Sequence, residues 1–158
     1  MATSLKSLSA HSSKNIQDIS NKTFGIIVSE WNEDVTEALY SGAYQTLLEN
    51  GAKKENIIRR NVPGSFELTL AAQWLAQEES IDAVICLGCV IQGETKHFDF
   101  ICGAVAHGIT NVGLKYNKPV IFGVLTPNTQ QQAMDRAGGK HGNKGDEAAI
   151  TAVKMLGF

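Results

Sequence analysis

His97 follows a glycine turn, Ile91-Gln92-Gly93-Glu94-Thr95, which itself follows the apolar run Ala83–Val90 (AVICLGCV). A helical apolar pattern resumes at Lys96. A buried strand that feeds a glycine turn and a helix start gathers unpaired backbone N–H groups and the positive end of a helix dipole around a small concavity. Such a concavity suits a phosphate or a developing anion. Histidine in the first helical turn adds a side chain that exchanges protons near neutral pH. A lone histidine is usually a surface or capping residue; beside an anion cradle it reads as a general acid–base group.

Other residues suit binding rather than proton transfer. Arg136–Gly145 (RAGGKHGNKG) concentrates an arginine and two lysines in a flexible turn. That is either a solvated loop or a phosphate clamp, for which a guanidinium fork is suited. Trp31 stands in a polar loop directly after an apolar strand, where it either covers a core or offers an indole face to a planar heterocycle. Glu67, in Pro63-Gly64-Ser65-Phe66-Glu67, opens a helix; it caps that helix or accepts hydrogen bonds from substrate hydroxyls. Phe122, mid-strand, reads as core, and His107 and His141 as structural.

Cys86-Leu87-Gly88-Cys89 has the spacing of a thioredoxin-type redox pair. Strand geometry rejects that reading. Residues three apart on a strand point to opposite faces, roughly 10 Å apart, whereas a disulfide spans at most about 7 Å. The same argument removes a shared metal site, so both cysteines read as small core residues. No Walker A or GxGxxG pattern is present.

These residues hang on alternating elements. Thr23–Val28 reads as a strand, and Asp34-Val35-Thr36-Glu37 as a capping box that opens a helix running to Glu49. Asn56–Val62 is a second strand, followed by a helix over Ser65–Gln77. After the third strand, Ala83–Val90, a helix places Phe98, Ile101, Cys102, Val105, Ile109 and Val112 on one face. Val120–Leu125 is a fourth strand, Thr129–Ala137 a short helix, Gly138–Gly145 a loop and Asp146–Leu156 a closing helix. Strands alternating with helices imply right-handed crossovers and an α/β fold with a parallel sheet covered on both faces. In the order 2-1-3-4 the strand order reverses between strands one and three, where ligands bind beyond the strand ends. Trp31 and His97 would then face one crevice.

Composition sets the outer bounds. A chain of 158 residues, 43% of them hydrophobic, builds one domain with a real core. Lys and Arg number 14 against 16 Asp and Glu, which leaves no basic footprint for nucleic acid. No apolar run approaches the roughly 20 residues that cross a bilayer, so no membrane partner is expected. An odd number of cysteines in apolar contexts points to a reducing compartment, the cytoplasm. Residues 1–20, rich in serine and without an apolar stretch, read as a mobile arm ahead of a domain over residues 21–158.

Taken together, PGSFE, CLGCVIQGETKHFDFI, PVIFGVLT and DRAGGKHGNKGDEAA, in this order and spacing, resemble the 6,7-dimethyl-8-ribityllumazine synthase family of riboflavin biosynthesis. The resemblance runs from about Thr23 to the C-terminus. It implies a flavodoxin-like three-layer sandwich and a transferase without metal or redox cofactor. That transferase condenses 5-amino-6-(D-ribitylamino)uracil with 3,4-dihydroxy-2-butanone 4-phosphate. By the same resemblance Trp31 stacks on the pyrimidine, and Ser65, Phe66, Glu67, Cys89, Val90, Ile91 and Phe122 hold its ring and ribityl chain. Glu94, Thr95 and Arg136 bind the four-carbon phosphate, His97 transfers protons, and Lys144 and Glu147 border that site. Glu94 enters through its backbone N–H, because a carboxylate beside a phosphate repels it.

The resemblance also implies pentamers, with the pocket at the subunit boundary, and riboflavin synthase as a partner. The short turn Gly138–Gly145 is similar to that of members whose twelve pentamers close into a shell of sixty subunits. Two other readings of the fold are a non-catalytic flavin or lumazine carrier and a purely shell-forming protein. The first needs neither a proton shuttle nor a phosphate clamp; the second needs no polar pocket.

Overall fold

A computed structural model describes residues 18–158. Residues 1–17 of the expected arm lie outside the described residues. Just beyond them, Ile19 is fully buried in the core, and the Asn56 side chain donates to the Ser20 carbonyl at 3.3 Å.

Two strands carry the centre. β1 (Phe24–Ser29) and β3 (Ala83–Cys89) are buried at every position, which is why both read as unbroken apolar runs. β2 (Ile57–Val62) flanks β1 and β4 (Val120–Leu125) flanks β3, giving an all-parallel sheet in the order β2-β1-β3-β4. This is the expected 2-1-3-4 order, with its reversal between β1 and β3. Strand alternation splits the core in two. Phe24, Ile26, Val28, Ile85, Leu87 and Cys89 face α1 (Glu33–Glu49) and α5 (Lys144–Leu156). Ile27, Val84 and Cys86 face α2 (Leu68–Gln77) and α3 (His97–Tyr116). Cys86 and Cys89 therefore belong to opposite layers, and both are free thiols, as strand geometry requires.

The ends of several elements differ from the sequence reading. Asp34 and Glu37 form no capping box. α1 starts two residues earlier, behind Asn32, which adopts the left-handed conformation at φ 60° and makes no side-chain cap. Glu37 instead pairs with Arg59 on β2, whose guanidinium lies 4.3 Å from the Tyr40 ring centre. With the helix begun at Glu33, Asp34 and Glu37 both lie inside it, where no capping box forms. Ser65–Glu67 is a 3-10 turn ahead of α2 rather than its first turn. The short helix α4 (Gln130–Asp135) has Thr129 as its cap.

Gly138–Gly145 is not a flexible loop. β5 (Ala137–Gly139) and β6 (Gly142–Asn143) pair as an antiparallel hairpin, and α5 begins within the segment, at Lys144. Gly138 and Gly142, at φ 105° and 78°, supply the backbone conformations this tight return needs. The hairpin is anchored to α1: Asn143 donates to the Ala38 carbonyl at 2.9 Å, and Gly145 sits against the Leu39 carbonyl with no room for a Cβ.

Candidate functional site

A crevice of about 530 Å³ opens beyond the C-terminal ends of β1 and β3. Trp31, Ser65, Phe66, Glu67, Cys89, Val90, Ile91 and His97 line it together. Asn32, Gly64 and Ile101 join them, three residues the sequence reading did not single out. Asparagine in the polar loop after a strand is the available signal for the first, since it tolerates the left-handed conformation better than most residues.

Backbone hydrogen bonds fix the crevice walls. The Trp31 N–H donates to the Pro63 carbonyl at 3.2 Å and the Glu30 N–H to that of Val62 at 2.9 Å, tying the loop after β1 to the end of β2. The Asn32 side-chain amide donates to the Cys89 carbonyl at 2.9 Å, tying the same loop to the end of β3. Held on both sides, Trp31 keeps its indole 73% exposed over the crevice. An apolar ring that exposed is poised for a planar ligand. Gly64 lets the indole approach: a Cβ there would lie 3.4 Å from Trp31 Cδ1 and 3.1 Å from Glu67 Oε2. That carboxylate oxygen accepts from the Gly64 N–H at 3.0 Å, which closes the turn and leaves the other oxygen unused within it.

The opposite wall comes from the segment after β3. Val90 N–H donates to the Leu125 carbonyl and Gln92 N–H to that of Pro127, at 2.8 and 2.9 Å, so this stretch follows the end of β4. The chain then turns through exposed Glu94 and Thr95 into α3, a helix of 20 residues. His97 is its first residue, is exposed, and donates its backbone N–H to Thr95 Oγ1 at 3.4 Å. Burial pushes the Cys89 thiol up to about 11 and the Cys86 thiol to about 12. Neither thiol supplies a thiolate near neutral pH.

Arg136 does not reach this crevice. It lines a separate cavity of about 590 Å³ with Thr126, Gln132, Asp135, Lys140 and His141. Its guanidinium donates to Glu147 Oε1 at 3.0 Å and to the His141 carbonyl, while Lys144 holds the other oxygen of Glu147 at 3.2 Å. Glu147 is buried between the two cations and orients the arginine fork. Lys140, in the hairpin turn, pairs at 3.0 Å with Asp135 at the end of α4. Gln131 and Lys140 hold the Asp135 carboxyl below the usual carboxylate range. Phe122 and Lys144 line a third hollow, of about 910 Å³, between α3 and α5 beside the outer edge of β4. The named site residues thus fall on separate surfaces of one chain.

The family model for 6,7-dimethyl-8-ribityllumazine synthase matches residues 21–158. A protein of that name from Cytophaga hutchinsonii is 66% identical over 156 residues, covering 99% of this chain and 98% of its own. The protein of the same name from Parabacteroides distasonis is 52% identical, with 100% and 99% covered. The one from Flavobacterium johnsoniae is 53% identical, with 98% and 82% covered.

Proposed function

This chain belongs to the 6,7-dimethyl-8-ribityllumazine synthase family, and we propose that the Trp31–His97 crevice is where it condenses 5-amino-6-(D-ribitylamino)uracil with 3,4-dihydroxy-2-butanone 4-phosphate. The observation that carries this reading is convergence. An exposed indole, a carboxylate with a free oxygen, a helix start and a histidine share one cavity at the point where strand order reverses.

The roles follow from the chemistry of each wall. Trp31 stacks on the pyrimidine, and the turn Gly64–Glu67 holds its edge and ribityl chain, with the free Glu67 oxygen accepting from hydroxyls. The ring amine then attacks the ketone and loses water as a Schiff base. Phosphate leaves by elimination, and the second amine closes the ring with loss of a second water. Each step moves protons between nitrogen, carbon and oxygen, which is the work of His97. The N–H groups at the start of α3, with Thr95, face the departing phosphate; the dipole of that helix favours its negative charge. Glu94 contributes its backbone only.

Arg136, Lys144 and Phe122 enter this site only from a second copy of the chain. Their placement on other surfaces of the same chain supports an oligomer with the crevice at a subunit boundary. Exposed Phe66, Leu70 and Trp74 on α2 and the turn before it, and Leu114, Met155 and Phe158 near the C-terminal ends of α3 and α5, support the same reading, since apolar patches of this kind mark interfaces. A pentamer, with twelve pentamers closing into a shell, is the assembly we favour. Three free thiols among the described residues fit a cytoplasmic location. Association with riboflavin synthase rests on the family resemblance alone.

Mixing purified protein with both substrates tests the activity. The lumazine chromophore should appear and inorganic phosphate be released in equal amount; lumazine that is bound but never formed would make the protein a carrier. Sedimentation at neutral pH tests the assembly. A particle near megadalton mass is expected, a species near five chains rejects the shell, and an active monomer rejects the shared crevice.

A further inference from the structure

We infer that Ser29 is a positioning residue for the pyrimidine half of the crevice, acting through Ser65 across Gly88; the inference rests on the reading of that crevice given above. Ser29 ends β1, and Ser65 begins the 3-10 turn beside the crevice. Ser29 is fully buried and Ser65 is 5% exposed, yet neither hydroxyl has a hydrogen-bond partner among the described residues.

Both hydroxyls converge on one spot. A Cβ on Gly88 would lie 2.6 Å from Ser65 Oγ, 3.3 Å from Ser29 Oγ and 3.0 Å from Leu68 Cδ1. Glycine on β3 therefore lets both hydroxyls and Leu68 pack directly against the strand backbone. Any other residue at position 88 would push the Ser65 hydroxyl aside.

A buried hydroxyl without a partner carries its full desolvation cost, whereas two hydroxyls packed against one glycine remove it when their rotamers turn to bond each other. Ser65 lines the crevice and Ser29 does not. The bridge consequently gives Ser29 an indirect task. It fixes the Ser65 rotamer and, with it, the turn that presents Phe66 and Glu67 to the ligand.

A double-substitution cycle in the full chain tests this, reading melting temperature and both Michaelis constants. Ser29→Ala is expected to raise KM for the pyrimidine substrate by about 3–10-fold and to lower the melting temperature. KM for the butanone phosphate and kcat should stay within about twofold. Ser29→Cys, which keeps a weak donor, should recover part of the loss. In a Ser65→Ala background, Ser29→Ala should leave the pyrimidine KM unmoved and should not lower the melting temperature further, because its partner is already gone and removing an unpartnered buried hydroxyl relieves its desolvation cost. A Ser29→Ala protein that melts at or above wild type with an unmoved KM would mark two idle hydroxyls and overturn the inference. Additive effects of the two substitutions would overturn it as well. Trp31→Ala separates the premises: if it leaves the pyrimidine KM unchanged, the reading of the crevice itself fails.

Discussion

The Asn32 side-chain amide and the Cys89 carbonyl, 2.9 Å apart, join the loop after β1 to the last residue of β3. These are the two strands between which the strand order reverses. One hydrogen bond thus spans the head of the crevice and sets the height of Trp31 above Cys89 and Val90. Asn32 can make it because asparagine accepts the left-handed backbone at φ 60°.

Two substitutions separate these contributions. Asn32→Gly keeps the backbone conformation and loses the bond; Asn32→Ala loses both. Unfolding in urea should show losses of about 1 kcal/mol for the first and about 2 kcal/mol for the second. Both should raise KM for the pyrimidine substrate by loosening Trp31. Equal stability of the two variants would show that the backbone conformation carries no strain.

His97→Ala should slow turnover by about 10²–10⁴-fold, the usual worth of a general acid–base group. Smaller losses would mean that solvent or substrate phosphate substitutes for the imidazole. Because His97 is exposed at the first residue of α3, the melting temperature should stay close to wild type. Wild-type rates across the pH range would remove the role assigned to it.

Arg136→Ala should raise KM for the butanone phosphate far more than for the pyrimidine, since only the former carries the dianion. It also leaves Glu147, a buried carboxylate, with Lys144 alone. A stability loss of about 1–3 kcal/mol should therefore accompany the kinetic one. Glu147→Gln provides the complement: the fork keeps its charge, loses its orientation, and should bind phosphate less well. Parallel increases in both Michaelis constants would instead indicate collapse of the hairpin.

Asp146, in the first turn of α5, is held above the usual carboxylate range by burial and then by the Glu49 carboxylate. A folded value above the unfolded one means that ionised Asp146 costs stability at neutral pH. That cost fades as pH falls through the folded value. Asp146→Asn should accordingly melt above wild type near pH 7, with the gap closing on acidification. Melting curves between about pH 7 and pH 4 check this, and a gap that widens in acid would reverse the sign of the coupling.

Much of this architecture could be read from the sequence because burial on both faces leaves a strong trace. The runs TFGIIV and AVICLGCV admit few readings other than central strands, and their alternation with amphipathic helices implies a parallel sheet, though alternation alone does not fix the strand order. The crevice was readable for the same reason: a strand, a glycine turn and a helix start lie consecutively in the chain. Contacts between distant segments leave no such trace. Glu37 has the spacing of a cap, yet its partner, Arg59, lies on another strand. The segment Gly138–Gly145 looks flexible by composition, and what holds it is the distant carbonyl of Ala38 together with the close fit of Gly145 on Leu39. Nor does residue spacing show that the Arg136 fork opens away from His97, because that depends on how the hairpin folds back onto α1.

That last separation changes what a defective copy means. His97 and Arg136 open into different cavities of one chain, so under the proposed assembly the working unit would be a junction between copies, and loss of function would belong to a pairing. On this reading, His97→Ala and Arg136→Ala chains, each inert alone, would complement when assembled together, because some junctions would receive an intact half from each parent. Two genes, each carrying one of these lesions, would then together restore activity that neither supports alone.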